Sequence, residues 1–497
     1  MPSATVSLTT AFIDLSTFDE IETWLYGGRS VNRFRKCIRR CAWFTVIAAQ
    51  LNKVGTVGDF DSEMQAMFSR AGDYIRDCWL RVELPAITSQ DNYQCRWTKN
   101  IGHNLIDEAY LKFNDLTVNK LTSFHMDFLS QFCISESKRA GYDYMIGNHT
   151  ALVDPYAGNA SRMQPNPNTG SIATIPLPAT VLNIPLPFWF TRDPSDAILQ
   201  AACPFNDIKV TIKFRGWREL LVVDELSVNP NTNGYKTTTN NNPNWGLVFP
   251  STVTPRLSGC EVWAHYAVVP NADREKIADE ENIDVVCEQI QHIPVQPFNP
   301  STQPQINVPL RFSTSVRALF FALRNVSNRS EWSNYSTHAS RGNGFGMGDE
   351  NANTFGVNLA NVNSANPVGR AVLAYENVDR VNMYSDYFTH VTPYYTATRI
   401  PSDIGYHLLP YCNDIGNLQP DGSTNYARLA SVHLTLEASA DAVTQAGDVN
   451  SVADSASGTP YYERAAVYKR SLYDVVVTAS TLSILRMTGG SAGFPVL

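Results

Sequence analysis

Apolar and polar residues alternate with period two in several short runs of this chain. Leu80-Arg81-Val82-Glu83-Leu84, Ala109-Tyr110-Leu111-Lys112-Phe113 and Ile208-Lys209-Val210-Thr211-Ile212-Lys213-Phe214 are the clearest. An extended strand points successive side chains to opposite faces, so each run predicts a half-buried antiparallel strand. Further strands are predicted at Ile283–Cys287, Val316–Leu323, Ser431–Leu436 and Val475–Val477. One segment carries helical spacing instead: Leu121, Phe124, Phe128, Leu129 and Phe132 predict a helix over Val118–Phe132. The charged cluster Asn271-Ala272-Asp273-Arg274-Glu275-Lys276 predicts a short helical or turn linker.

Between the strand runs lie long polar tracts at about 147–175, 224–252 and 327–370, rich in Asn, Ser and Gly. Tracts of this length are usually functional or presented outward, because buried loop backbone lacks hydrogen-bond partners. Many closely spaced strands with few helices predict sandwiches or barrels rather than an alternating βαβ sheet. The fold class expected is all-β: two tandem eight-stranded antiparallel jelly rolls with long loops and a few short helices. The expected boundaries are an N-terminal arm over 1–74, a first roll over 75–270, a linker over 271–282 and a second roll over 283–497. The halves share a plan and no residue-level repeat.

Composition changes this picture in one respect. The chain has 497 residues, 43% hydrophobic and 11% aromatic, enough apolar surface for two cores. Charged residues are only 17%, against roughly 25% in an ordinary soluble protein. A large chain with so few charges implies a surface covered by partners. The net charge of −8 and the pI near 5.6 exclude a protein that wraps nucleic acid by neutralising phosphates. No window reaches the ~20 apolar residues of a membrane span. Met1–Ser16 has no basic start and no long apolar run and carries Asp14, so synthesis in the cytoplasm without a secretory signal is expected. Arg29, Arg33, Arg35, Lys36, Arg39 and Arg40 form a basic cluster followed by the apolar Ala42–Ala49. Two readings stay open for it: a segment docking on an anionic membrane or acidic partner, and an amphipathic helix packed on its own domain.

Candidate chemistry fails on inspection. The nine cysteines are odd in number and scattered, fitting free buried thiols better than a disulfide framework. Cys37 and Cys41, four apart, have no second Cys/His pair to complete a metal site. Gly489-Gly490-Ser491-Ala492-Gly493 matches a nucleophile elbow, but only Phe494–Leu497 follows, so no acid and histidine come later. The glycines of Gly342–Gly348 sit inside a long loop without the Lys-Ser/Thr of a phosphate cradle. The nine histidines contain no close ligand pair, and Asp448, Asn450 and Asp454 lack the calcium-loop offsets. No cofactor or metal is expected. Asn-x-Ser/Thr sequons occur at Asn148, Asn159, Asn325, Asn328 and Asn334 and are carried as candidate glycosylation sites.

Several segments resemble the double jelly-roll major capsid proteins of nucleo-cytoplasmic large DNA viruses, the group that includes iridoviruses and phycodnaviruses. The strongest match is Ile184–Pro194, in which Pro185, Leu186, Pro187, Phe188, Trp189 and Phe190 look like that family's signature strand before a polar turn. Gly102–Glu108 resembles its first-domain hairpin, and Trp263–Val269 with Asp273-Arg274-Glu275 the end of its first roll. Leu418–Arg428 is similar to its Gln-Pro-Ser-Gly-Thr-x-Asn-Phe-Ser-Arg segment, departing at Asp421 and Tyr426-Ala427. Ser483–Gly493 looks like the closing strand and glycine turn, and all five matches occur in order over about 75–497.

The resemblance implies a structural protein of the virion shell. In that reading it forms a homotrimer with a nearly hexagonal outline, neighbouring capsomers pack around it, and minor capsid and penton proteins are further partners. The N-terminal segment would face inward, where Arg33, Arg35, Lys36, Arg39 and Arg40 would meet minor capsid proteins or the internal membrane. No specific nucleic acid binding is implied. Two other classes stay open beside it. A carbohydrate-binding or host-attachment jelly roll is motivated by Trp245 and Trp332 in the long loops, and an enzyme would need the spacings that fail above.

Overall fold

The computed structural model describes residues 41–155, 170–229, 234–240, 243–249, 254–278, 280, 282–327, 329–337, 366–447 and 472–495, with four single positions before them. Contacts divide the chain into Met1–Trp43 and Phe44–Leu497. In the first unit Phe12, Ser16 and Glu20 are helical and Phe34 lies in a turn. Everything below concerns the second unit.

Eight strands build the roll of its first half: β1 (Thr45–Gln50), β2 (Glu63–Met67), β3 (Tyr74–Leu84), β4 (Ile106–Phe113), β5 (Leu116–Thr122), β6 (Thr180–Pro185), β7 (Ile208–Phe214) and β8 (Ser258–Val268). A separate three-stranded sheet of Tyr93–Trp97, Leu221–Asn229 and Gly234–Asn240 lies in the connections, although loop is expected over 224–252. The eight strands of the roll pair antiparallel in two sheets of order β1-β8-β3-β6 and β2-β7-β4-β5, with short strands at Ile198–Leu199 and Asn52–Val54 extending them. The second half repeats this with β9 (Asn282–His292), β10 (Gln305–Pro309), β11 (Ser315–Asn325), β12 (Val368–Tyr375), β13 (Val378–Tyr384), β14 (His407–Pro410), β15 (Val432–Ala438) and β16 (Tyr473–Thr488). Their order is β9-β16-β11-β14 and β10-β15-β12-β13. Adding eight to each label of the first half gives the second, so the two halves share one topology. That topology, with the chain passing back and forth between two facing sheets, is a jelly roll.

The period-two runs supply both cores. Ile75, Leu80, Val82 and Leu84 of β3 face Ile208, Val210 and Ile212 of β7 across the first roll, while the alternate residues of β3 stay half-exposed. Val316, Leu319, Phe321 and Leu323 of β11 meet Leu434 and Leu436 of β15 in the second. The Asn271–Lys276 cluster begins the linker helix Asn271–Ala278. Successive antiparallel strands reverse, so their connections alternate between the two ends of a roll. The long ones (85–105, 123–179 and 215–257, then 326–367, 385–406 and 439–472) collect at one end of each roll. Glu331 and Ser333 of the second roll reach Arg96 and Asp127 of the first there, so both decorated ends lie on the same side.

Several expectations change. Thr45–Gln50 pairs with Trp263–Val268, and Glu63–Met67 pairs with Lys209–Lys213, so an arm ending at 74 would cut two strands out of the first roll. Ala42–Ala49 is no helix: from Thr45 on it is the sheet-edge strand β1, whose β-branched and small residues suit a strand. The helix expected over Val118–Phe132 starts at Ser123, because Leu116–Thr122 is held in register with β4. Thr122 caps the helix by accepting from the His125 backbone N–H. The Pro185–Phe190 segment is a strand only to Pro185; Pro187 lacks the N–H a ladder needs, and Trp189–Thr191 forms a single 3-10 turn.

Candidate assembly surfaces and the seam between the rolls

The most elaborate chemistry lies where the two rolls meet. Helix α1 (Ser123–Phe132) follows β5 and carries an apolar face of Phe128 and Phe132. That face seats on the outside of the second roll, against Ala318, Phe320 and Ala322 of β11, Leu408 of β14 and Val476 of β16. β11 is therefore buried on both faces, which explains its continuous apolar run. Phe128 lies with its ring centroid 5.6 Å from Phe320 and 5.8 Å from Tyr406. Beside the helix, edge strand β5 meets β9: the Asn119 amide donates to the Glu288 carbonyl at 2.9 Å.

Buried charges cross the same seam. The Arg96 guanidinium holds Asp224 at 2.9 Å and Glu331 at 2.5 Å. Burial alone would lower its pKa, but the two carboxylates outweigh burial and raise it. Lys99 donates to Asp403 at 2.6 Å, and Gln131 donates to the same oxygen at 2.9 Å. Arg192 pairs with Glu288 at 2.5 Å, and Ser480 donates to the other oxygen of Glu288. Asp127 accepts from Asn100 at 3.1 Å, from Ser333 at 2.6 Å and from Tyr335 at 3.3 Å, and its contact to His103 Nδ1 is 2.7 Å. Burial, then the Asp127 charge, pushes the Tyr335 hydroxyl well above its ordinary range, so it stays a donor. His125 is held well below the ordinary histidine range by burial and then by Arg192 and His292.

Ser333, Asp127 and His103 superficially suggest a hydrolytic triad. The serine bonds the carboxylate rather than the imidazole, however, and the other ring nitrogen meets the Tyr142 hydroxyl at 2.6 Å. All three are buried, so the arrangement clips two rolls together and leaves no place for a substrate. Ser491 lies in the short strand Ser491–Gly493, reached from β16 through a turn in which Gly489 and Gly490 adopt positive φ. Among the described residues no group of three His, Cys, Asp or Glu is placed to hold a metal.

The other singled-out residues scatter, apart from Trp245 and Trp332, which share one cavity. Leu186, Phe188, Trp189 and Phe190 are buried in the first roll's core, so the signature segment packs rather than binds. Trp332 is half-buried between the guanidiniums of Arg215 at 3.8 Å and Arg324 at 4.0 Å, and Trp245 packs edge-on against Trp217 at 4.9 Å. The two tryptophans line one open cavity together with Arg218, Glu219, Arg324 and Asp474. Asn325 and Asn334 are buried, the first donating to the Ser336 carbonyl at 3.0 Å and the second accepting from the Ser336 N–H at 3.2 Å, which closes both to a glycan in the folded chain. Asn148 is half-buried, its amide 3.2 Å from Asp143. Asn159, Asn328, Cys37, Gly342–Gly348 and the basic positions Arg33, Arg35, Lys36, Arg39 and Arg40 lie outside the described residues.

Two apolar surfaces remain without a partner among the described residues. β13 is exposed along most of its length, with Val378, Met383 and Tyr384 outward. The helical stretch that follows it adds Val391, Tyr394 and Tyr395. On the first roll, Phe44 and Ile47 are exposed at the β1 edge.

Comparison with known proteins assigns this architecture. Residues 32–268 match the family described as major capsid protein N-terminus, and residues 273–493 match the large eukaryotic DNA virus major capsid protein. The chain belongs to the major capsid proteins of large eukaryotic DNA viruses. It is 36% identical over 505 residues to the major capsid protein of Costelytra zealandica iridescent virus, covering 100% of both chains. It is 33% identical over 512 residues to that of Frog virus 3, again covering 100% of both. A capsid subunit from a quasi-atomic model of the PBCV-1 virus shares the fold with a TM-score of 0.68 at 18% identity, over 94% of this chain and 100% of that one. This major capsid protein is thus a structural component of the virion, and its place is the capsid shell.

The seam residues Arg96, Lys99, Asp127, Glu331 and Asp403 escaped the sequence reading. Arg96 and Glu331 are 235 positions apart, and Lys99 and Asp403 are 304 apart. The only local signal was a charge inside an apolar setting, as at Arg96 between Cys95 and Trp97.

Proposed function

We propose that this major capsid protein works as a homotrimer without catalytic activity, three copies closing a ring of six similar rolls that tiles the shell. One observation carries the reading. The two rolls have one topology, yet the first roll's β5 and α1 are covered by the second roll, while the equivalent β13 is exposed and the stretch after it leaves Val391, Tyr394 and Tyr395 outward. A surface that is satisfied once within the chain and left open once at its equivalent position suits a heterologous, ring-closing contact. The low charge content accords with sides covered by neighbours. The decorated loop ends, all on one side, would face outward.

Light scattering and negative-stain microscopy of the purified chain test this. The expected result is a particle of three times 55.2 kDa with a pseudo-hexagonal outline; a monodisperse, folded monomer would refute it. Neighbouring capsomers, minor capsid proteins and penton proteins are the remaining partners of the proposal, and the basic segment around Arg33–Arg40 is the proposed contact to inner-shell components or the internal membrane. Because β1 begins at Thr45, the truncation that tests this segment must stop at residue 40. Trimers should survive it and lose binding to anionic vesicles or inner-shell proteins, and unchanged binding would refute the assignment.

A further inference from the structure

Inside the chain the first roll presents a strand and a helix, β5 and α1, and the second roll receives them on the outer face of its β9-β16-β11-β14 sheet. The second roll owns an equivalent of the presenting element. β4 and β5 are joined by Asn114-Asp115, with Asn114 at φ 54°, and β12 and β13 by Glu376-Asn377, at φ 51° and 67°. Both hairpins run straight into helical turns: Ser123–Phe132 after β5, and Tyr387–Val391 then Thr392–Thr396 after β13. In the first case the helix buries Phe128 and Phe132 on its partner. In the second, Tyr394 and Tyr395 form a T-shaped pair 5.0 Å apart and are 66% and 76% exposed. The segment leading to them, Tyr387–Val391, is a single widened π-helical turn.

The first roll likewise owns an equivalent of the receiving face, the outside of β1-β8-β3-β6. Along β11 every residue after the first is buried, because α1 covers its outer side. Along β3, the equivalent strand, buried and half-exposed residues alternate, because nothing described covers its outer side. That side is not a purely charged, solvated face. Trp79 and Trp263 stack with ring centroids 6.4 Å apart, and His265 lies 4.8 Å from Trp79 and bonds Asp77. A pair of stacked tryptophans on an outer sheet face has the composition of an interface centre.

We infer that the Tyr394–Tyr395 knob of one copy seats on the Trp79–Trp263–His265 platform of the next, repeating between copies the contact that α1 makes with β11 inside each copy. The occupant is a second copy of this chain, because the chain already contains one satisfied example of the same pairing between equivalent elements. The inference rests on the trimer reading and specifies which faces close the ring.

The full chain tests it in two ways. The double variant Tyr394→Ala/Tyr395→Ala removes two exposed rings, so its far-ultraviolet circular dichroism should match wild type. Its trimer dissociation constant should rise on the order of 30-fold or more, as for central aromatic anchors. Separately, Tyr395→Cys combined with Trp79→Cys in one chain should give a disulfide-linked trimer under oxidation. Tyr395→Cys copies mixed with Trp79→Cys copies should give linked dimers, and neither variant alone should link. A double alanine variant whose trimers keep wild-type stability, or trimers of the double cysteine variant that never cross-link, would overturn the inference and leave the trimer reading intact. Cross-links that form only in assembled shells and not in isolated trimers would also overturn it. A wild-type chain that is monomeric would overturn the trimer reading itself.

Discussion

Replacing Phe128 by alanine is the sharpest test of whether the seam is a genuine core between the rolls. Phe128 belongs to the first roll by sequence but is fully buried against the second, with Phe320, Tyr406 and Tyr335 at centroid distances of 5.6, 5.8 and 6.2 Å. Truncating a buried phenylalanine removes its transfer free energy and leaves a cavity, together about 3–5 kcal/mol. For units of about 200 residues this corresponds to a fall in Tm on the order of 10 °C. The destabilisation should also have a particular form. Phe128 holds the rolls to each other rather than either one together, so calorimetry at fixed scan rate should show one transition in wild type and two partly separated ones in F128A. Leu373→Ala, inside the second roll's own core, should lower the transition without splitting it. A double-mutant cycle with Phe320→Ala should return a coupling of about 0.5–1.5 kcal/mol. A loss below about 1 kcal/mol for F128A, or strict additivity with the Phe320 change, would show that the seam is mere contact and refute the reasoning.

Three more outcomes are expected. Arg192→Ala leaves the buried Glu288 carboxylate without its cation and should cost about 3–5 kcal/mol by denaturant unfolding, whereas a change below 1 kcal/mol would mean that water reaches Glu288. Burial lowers the His407 pKa to about 4, and the contacts of Nδ1 to the Phe321 carbonyl and of Nε2 to the Asn366 amide suit the neutral ring. The unfolded chain therefore takes up the proton first as pH falls below ~6.5, so stability should drop between about 6.5 and 4, by on the order of 3 kcal/mol from this group. His407→Gln should flatten that part of the stability–pH curve, and an unaltered slope would assign it elsewhere. Gly405 has φ 89°, and a Cβ there would lie 2.0 Å from the Tyr335 carbonyl oxygen, so Gly405→Ala should abolish soluble folded protein in an expression assay.

How much of this was legible beforehand follows from the range over which each feature is encoded. Strands β3, β4 and β7 could be read directly, because a period-two pattern is a local property of a chain with one buried face. The helix over Val118–Phe132 was misplaced by five residues, because Leu121 satisfies a helical and a strand pattern equally and only its pairing with Ala109 decides. β1 and β2 were assigned to an arm for the same reason. Short, weakly apolar strands become strands when Trp263–Val268 and Lys209–Lys213 supply hydrogen-bond partners, and those lie between about 140 and 220 positions away in the chain.

The functional surfaces divide in the same way. By itself the sequence determined the all-β class, the two-roll plan, the absence of any spaced catalytic set and the resemblance to capsid proteins, since each of these rests on residue types in local order. Only the tertiary structure decided that Asn325 and Asn334 are closed to modification, that Trp332 is sandwiched between two arginines, and that Asp127 gathers donors from both rolls. It alone separated the covered β5 from the bare β13. Both are seven-residue strands following a tight turn, and nothing local distinguishes them. Whether a strand edge is satisfied depends on what the rest of the chain brings against it, and for β13 the chain brings nothing among its described residues.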